Sequence, residues 1–184
     1  YLYSNSRGCD GGRLYFDGCA LIICNGKLLA QASQFSMRDV EVVSAAIDLR
    51  DVRSYRESSR AIARQGAGAE ETHAFAFVDC GGGCGFGAGA APAEAAASAP
   101  IEFHEHSPEE ECALGPACWL WDYLRRSGAA GYFIPLSGGA DSAASATIVG
   151  VMCRLAARYA LHGVEEVAAD VRRVTKQDVL AGVE

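Results

Sequence analysis

One run of residues constrains this chain more than any other: Gly131-Tyr132-Phe133-Ile134-Pro135-Leu136-Ser137-Gly138-Gly139-Ala140-Asp141, followed at once by Ser142. An apolar run enters a Ser-Gly-Gly turn, and the turn opens into an alanine-rich segment with helical spacing. The pattern predicts a strand, a loop of phosphate size and a helix. An anion is favoured at such a place, because the first N–H groups of a helix lack internal partners and carry partial positive charge. Gly138 and Gly139 let the backbone approach a ligand with no Cβ in the way. Ser137 and Ser142 add hydroxyl donors, and Asp141 adds a carboxylate suited to capping the helix or to helping hold a metal ion. The Gly-Lys-Ser/Thr ending of a Walker loop is absent.

The flanks agree with that reading. Ser107-Pro108-Glu109-Glu110 combines a Ser cap, a Pro at the first helical position and a Glu at the third. The helix it opens is expected to reach about Arg126, broken or kinked at Pro116 and closed by Gly128. Leu114, Cys118, Trp121 and Leu124 form its core stripe, and both Trp119 and Trp121 read as core packing. Beyond the loop, Ile148, Val151, Met152, Leu155 and Tyr159 recur at helical spacing over about 18 residues. A further amphipathic helix is expected from Val164 to Val174. Helix, strand, loop and helix in this order open a doubly wound parallel α/β sheet, with its ligand beyond the strand ends.

The N-terminal part reads as strands. Tyr1 to Asn5 is a short strand, and Ser6 to Gly18 is a loop broken by Leu14-Tyr15-Phe16. Ala20–Cys24 and Lys27–Gln31 are joined by Asn25-Gly26, the preferred pair for a type I′ hairpin turn. Val40 to Leu49 reads as another strand, and Asp48 or Asp51 caps a short helix through Arg60. From 66 to 99 the composition collapses to 12 alanines and 8 glycines in 34 residues. Such a stretch buries too little side chain to offset its ordering entropy, so a flexible linker or insertion is expected. Gly85, Gly87 and Gly89 do not form a cofactor loop.

The 184 residues hold one domain or parts of two, and both ends read as cut, so a fragment is expected. A net charge of −7 argues against a general nucleic-acid or anionic-membrane binder. No apolar run approaches a membrane span, and no signal peptide is visible. The eight cysteines contain no Cys-x-x-Cys pair, so buried free thiols in a reducing, cytoplasmic setting are expected.

Ser-Gly-Gly-x-Asp-Ser resembles the phosphate loop of the ATP pyrophosphatase superfamily, whose members split ATP into AMP and pyrophosphate. Gly8 to Ala20, Asn25-Gly26, Ala30-Gln31, Gln34-Phe35 and Asp48 to Arg56 resemble the later part of a nitrilase-type glutaminase domain. His106 to Glu111 and Leu114 to Ser127, with Pro135 to Ser142, resemble the synthetase entry and ATP loop of the eukaryotic glutamine-dependent NAD+ synthetase family.

That resemblance implies a three-part layout. Residues 1–65 are the C-terminal part of a nitrilase-like α-β-β-α sandwich, 66–100 a linker or insertion, and 101–184 the start of a doubly wound ATP pyrophosphatase domain. It implies a ligase that adenylylates nicotinic acid adenine dinucleotide with ATP and Mg2+, without a prosthetic group, and amidates it with glutamine-derived ammonia. Ser137 is the candidate catalytic residue. Pro135, Leu136, Ser137, Gly138, Gly139, Ala140, Asp141 and Ser142 are the ATP- and pyrophosphate-binding set, with Asp141 in support of the metal. The family's glutaminase Cys, Glu and Lys fall before residue 1, so Cys9 and Cys19 are not nucleophile candidates. A cytoplasmic homo-oligomer is implied for the full-length enzyme, and no turnover by the isolated piece. The alternatives are another ATP pyrophosphatase-type amidotransferase, or a catalytically incomplete nucleotide-binding element.

Overall fold

Asn25 and Gly26 have φ of 50° and 78°, so the two-residue turn between Cys24 and Lys27 is built by the pair the sequence offered for it. It joins β4 (Leu21–Cys24) to β5 (Lys27–Gln31), and β1 (Leu2–Tyr3) pairs antiparallel with the far side of β4. A second antiparallel pair, β2 (Arg7–Cys9) with β3 (Tyr15–Asp17), occupies the region read as loop. The computed structural model of the chain describes residues 1–72 and 96–177. Over these residues it is a mixed α/β structure with two small sheets and five helices.

Asp48 caps α1 (Leu49–Ser58) by accepting the Arg50 N–H at 2.8 Å, as expected. A second helix, α2 (Arg60–Thr72), runs into the stretch read as linker. The alanine- and glycine-rich 73–95 lies outside the described residues. Its far flank is held firmly. Ser98 N–H donates to the Ala46 carbonyl at 2.9 Å, and Ile101 N–H donates to Leu28 on the edge of β5 at 2.8 Å. The Gln31 side chain then takes both backbone groups of His104, at 2.7 and 2.8 Å.

The helical half follows its sequence signals closely. α3 (Pro108–Ser127) carries the full capping box between Ser107 and Glu110 and ends on left-handed Gly128. Of the break or kink expected at Pro116, the break does not occur, and the helix runs through the residue. α4 (Ala140–Leu161) and α5 (Glu165–Thr175) complete a three-helix layer. Ala117, Cys118, Trp121 and Leu124 of α3 meet Met152, Leu155 and Ala156 of α4 and Val167 and Val171 of α5, with Met37 closing the core from the strand side. α4 is long and apolar enough, by length and composition alone, to cross a membrane, although the sequence was expected to hold no run of that size. Its apolar stripe is used on α3 and α5 instead.

Two expected strands are not formed. Residues 40–48 and 129–137 carry no ladder, and Leu49, expected to end the first strand, instead begins α1. Their burial nonetheless alternates: Tyr132 and Ile134 are partly covered, while Phe133 is 94% exposed. A strand is completed only by a neighbour that takes its N–H and C=O groups, and no described strand runs alongside either segment. All described strand pairings are antiparallel. The thiols divide too. Cys9, Cys19 and Cys118 are buried as expected, whereas Cys112 and Cys153 are exposed. Cys80 and Cys84 lie outside the described residues.

Candidate functional site

Gly138 makes the turn at the foot of α4. Its φ of +85° favours glycine, and the space around it is open, with nothing within 4 Å of an ideal Cβ. Gly139 is the N-cap residue, and no side chain caps the helix. The first intrahelical bond runs from the Ala143 N–H to the Gly139 carbonyl at 3.1 Å. The N–H groups of Ala140, Asp141 and Ser142 therefore have no acceptor within the helix, and Ala140 and Asp141 are exposed.

The structure brings the two serines together. Ser142 Oγ donates to the Gly139 carbonyl at 3.0 Å, and the Gly139 N–H donates to Ser137 Oγ at 3.3 Å. The serine hydroxyls stand 3.1 Å apart. A hydroxyl has one proton, and that of Ser142 is engaged, so Ser137 is the donor between them. The loop thus holds its own shape with a small ring of hydrogen bonds. An entering anion would take the Ser137 proton from Ser142, and a second bond from Ser142 would require its proton to leave the Gly139 carbonyl.

Asp141 does not cap α4. It sits at the second helical position, exposed, and its carboxylate makes no hydrogen bond or ion pair among the described residues. It remains available to a cation. Pro135, Leu136 and Ala140 are exposed around the turn, with Leu136 67% open. The site is a helix N-terminus with two serine hydroxyls and one free carboxylate beside it.

Two features beyond the motif position this loop. Tyr132 Oη donates to the Leu120 carbonyl of α3 at 2.6 Å, tying the loop's approach to the preceding helix. Burial pushes the Tyr132 phenol up, with Tyr123 and Cys9 adding to it, so it stays a donor at neutral pH. A cavity of about 780 Å3 opens beside it, lined by Arg13, Trp119, Tyr132, Ile134, Ser145 and Ile148 among others. Trp119 stacks on Tyr123 with ring centres 5.0 Å apart, so only Trp121 is a full core residue. The single Tyr in an apolar run was the sequence signal for the tie.

No protein-family model matches the chain. It is 51% identical over 176 residues to the glutamine-dependent NAD(+) synthetase of Saccharomyces cerevisiae, covering 96% of this chain and 24% of that protein. The protein of the same name in Homo sapiens is 51% identical over 180 residues, again with 96% of this chain and 24% of the relative covered. The one in Arabidopsis thaliana is 48% identical over 174 residues, with 95% and 23% covered. The chain spans about a quarter of the length of the curated relatives it matches. Over that quarter, the chain is homologous to glutamine-dependent NAD(+) synthetases.

Proposed function

We propose that this chain is part of an enzyme that makes NAD+ from nicotinic acid adenine dinucleotide, ATP and glutamine. The observation that carries the reading is identity of about one residue in two, over nearly the whole chain, to relatives bearing that activity in their names. The loop geometry supports it independently. A carboxylate is a poor acyl donor until one of its oxygens leaves as part of AMP. The substrate carboxylate attacks the α-phosphorus of ATP, pyrophosphate leaves, ammonia then attacks the acyl carbon, and AMP leaves. The first step needs fixed donors aimed at the departing pyrophosphate. The free N–H groups of Ala140, Asp141 and Ser142, with the hydroxyls of Ser137 and Ser142, are such donors, and Gly138 and Gly139 leave room for the phosphates. Ser137 is the catalytic member of the set.

The residues present fit a magnesium ion shared with phosphate. Mg2+ is commonly bound by one or two carboxylates together with substrate phosphates, and Asp141 offers one unpartnered carboxylate at the loop. Asp141 would hold it. The ion's chemistry there is to neutralise charge on the leaving pyrophosphate.

In this reading residues 1–65 belong to a nitrilase-like glutaminase domain, and 101–184 open an ATP pyrophosphatase domain whose strand is the extended 131–136. The alternating exposure of Tyr132, Phe133 and Ile134 supports that strand. The full-length enzyme is a cytoplasmic homo-oligomer, and the 184 residues alone do not turn over.

The test is made on the full-length protein, by following pyrophosphate release and NAD+ formation. Both should require ATP and the deamido dinucleotide, and both should be lost in Ser137→Ala and Asp141→Ala while glutamine hydrolysis persists. NAD+ formation at the unmodified rate in either variant refutes the assignment.

A further inference from the structure

The β2–β3 hairpin is fastened to α3 through the main chain of one residue. Asp122 Oδ2 accepts the Cys9 N–H at 3.2 Å, and Arg126 Nη1 donates to the Cys9 carbonyl at 3.2 Å. The two side chains stand one turn apart on α3, so together they take both backbone groups of Cys9, as a neighbouring strand would. Gly8 permits the approach. Its φ is +115°, and a Cβ there would lie 2.9 Å from Asp122 Oδ2 and 3.3 Å from Arg126 Nη2.

Asp122 is only 7% exposed, and its other oxygen accepts Arg125 Nε at 3.1 Å. Arg125 also pairs with Asp39, from the segment after β5, and has Asp170 of α5 at 3.9 Å. Arg173 closes the group, reaching Asp170 Oδ1 at 3.2 Å and the Arg125 carbonyl at 3.3 Å. An ionic group buried only at Asp122 and exposed at Asp39 and Arg173 contributes little net stability. What it fixes here is placement. The same helix segment also governs the loop, because the Leu120 carbonyl, two residues before Asp122, receives the Tyr132 hydroxyl.

We infer that Asp122 and Arg126 are positioning residues that couple the β2–β3 hairpin to the ATP loop. The inference rests on the proposed function, in which the hairpin belongs to the ammonia-releasing half and the loop to the half that activates the carboxylate. The chemistry gives the coupling a purpose. An acyl adenylate is consumed by whichever nucleophile reaches it first, water included. Ammonia released out of step with loop loading therefore wastes both substrates.

The experiment uses the full-length protein with Arg126→Ala, Arg126→Lys and Asp122→Ala. NAD+ formation is measured with glutamine and, separately, with saturating ammonium chloride, together with the glutamine consumed per NAD+ formed. In the two alanine variants the ammonium-supported rate stays unchanged, the glutamine-supported rate falls about tenfold, and the glutamine consumed per NAD+ rises. Arg126→Lys, which keeps a donor for the Cys9 carbonyl, recovers part of the loss. Equal losses with both nitrogen sources, or no loss with either, overturn the inference, since a purely structural role lowers both together. Failure of the unmodified protein to form NAD+ from ammonium overturns the proposed function instead. Should Asp122→Ala not fold, the variants of the exposed Arg126 decide between these outcomes alone, because they leave the buried carboxylate in place.

Discussion

Trp121 offers a test in which two effects oppose each other. Its side chain is 3% exposed in the core between α3, α4 and α5, yet its indole Nε1 has no acceptor among the described residues. Trp121→Phe removes roughly two to three methylene equivalents of buried apolar surface, a loss of about 2 kcal/mol. It also removes the orphaned donor, whose burial costs about 1–3 kcal/mol. The two nearly cancel, so Trp121→Phe should lie within about 1 kcal/mol of the unmodified chain. Trp121→Ala removes the donor too but leaves a large hole, and should cost about 3–5 kcal/mol. Urea unfolding followed by far-ultraviolet circular dichroism gives both values, provided the slopes agree between variants. A loss of about 3 kcal/mol or more in Trp121→Phe refutes the reasoning. It would mean that the indole N–H is satisfied and that ring volume alone sets the cost.

Three other outcomes follow from the same structure. Ser107→Ala removes the capping box of α3 and should cost about 1 kcal/mol, with Glu110→Ala adding little once Ser107 is gone; a double-mutant cycle in thermal melts reads this. Burial pushes the Cys118 thiol from 9.0 up to about 12, so its contribution to stability is complete below pH 9 and is lost as pH rises toward 12. Cys118→Ala should make the alkaline fall in unfolding free energy shallower by about 1.4 kcal/mol per pH unit in that window. Burial also raises Tyr15, which therefore continues to destabilise in alkali, and an unchanged slope in the variant refutes the assignment to Cys118. Gly138→Ala meets no atom within 4 Å but must hold a left-handed φ, at about 1–2 kcal/mol. The loop is exposed and can relax when empty, so the melting midpoint should stay put while ATP affinity of the full-length protein drops about tenfold.

What could be read from the sequence is what is decided within a few residues. The Asn25-Gly26 turn, the Asp48 cap and the Ser107–Glu110 box all depend on local dihedrals and side chains within one turn of each other. The core stripes of α3 and α4 were legible because helical spacing places Cys118 with Trp121 and Met152 with Leu155 on one face. What was not legible depends on partners far along the chain. Residues 40–47 and 131–136 have the composition and alternating exposure of strands, but a strand is a property of two segments. The short β2 was hidden because Arg7-Gly8-Cys9 carries no β propensity, and it is held by β3 and by α3 side chains more than 110 positions away. Asp141 shows the reverse. A carboxylate near a helix start suggested a cap, but the position that caps is occupied by Gly139.

The bonds between Ala46 and Ser98, between Leu28 and Ile101, and from Gln31 to His104 have a consequence for how such a chain tolerates change. They bring positions on either side of a long excursion to a common stem, so the excursion closes on itself instead of bridging a gap. The entropy of closing a loop grows only with the logarithm of its length, about 0.6 kcal/mol for each doubling. Residues can therefore be gained or lost between the two sides at small thermodynamic cost, with the geometry of α3 and the loop beyond it unchanged. What fixes this place in the fold is the stem formed by Leu28, Gln31 and Ala46 with Ser98, Ile101 and His104.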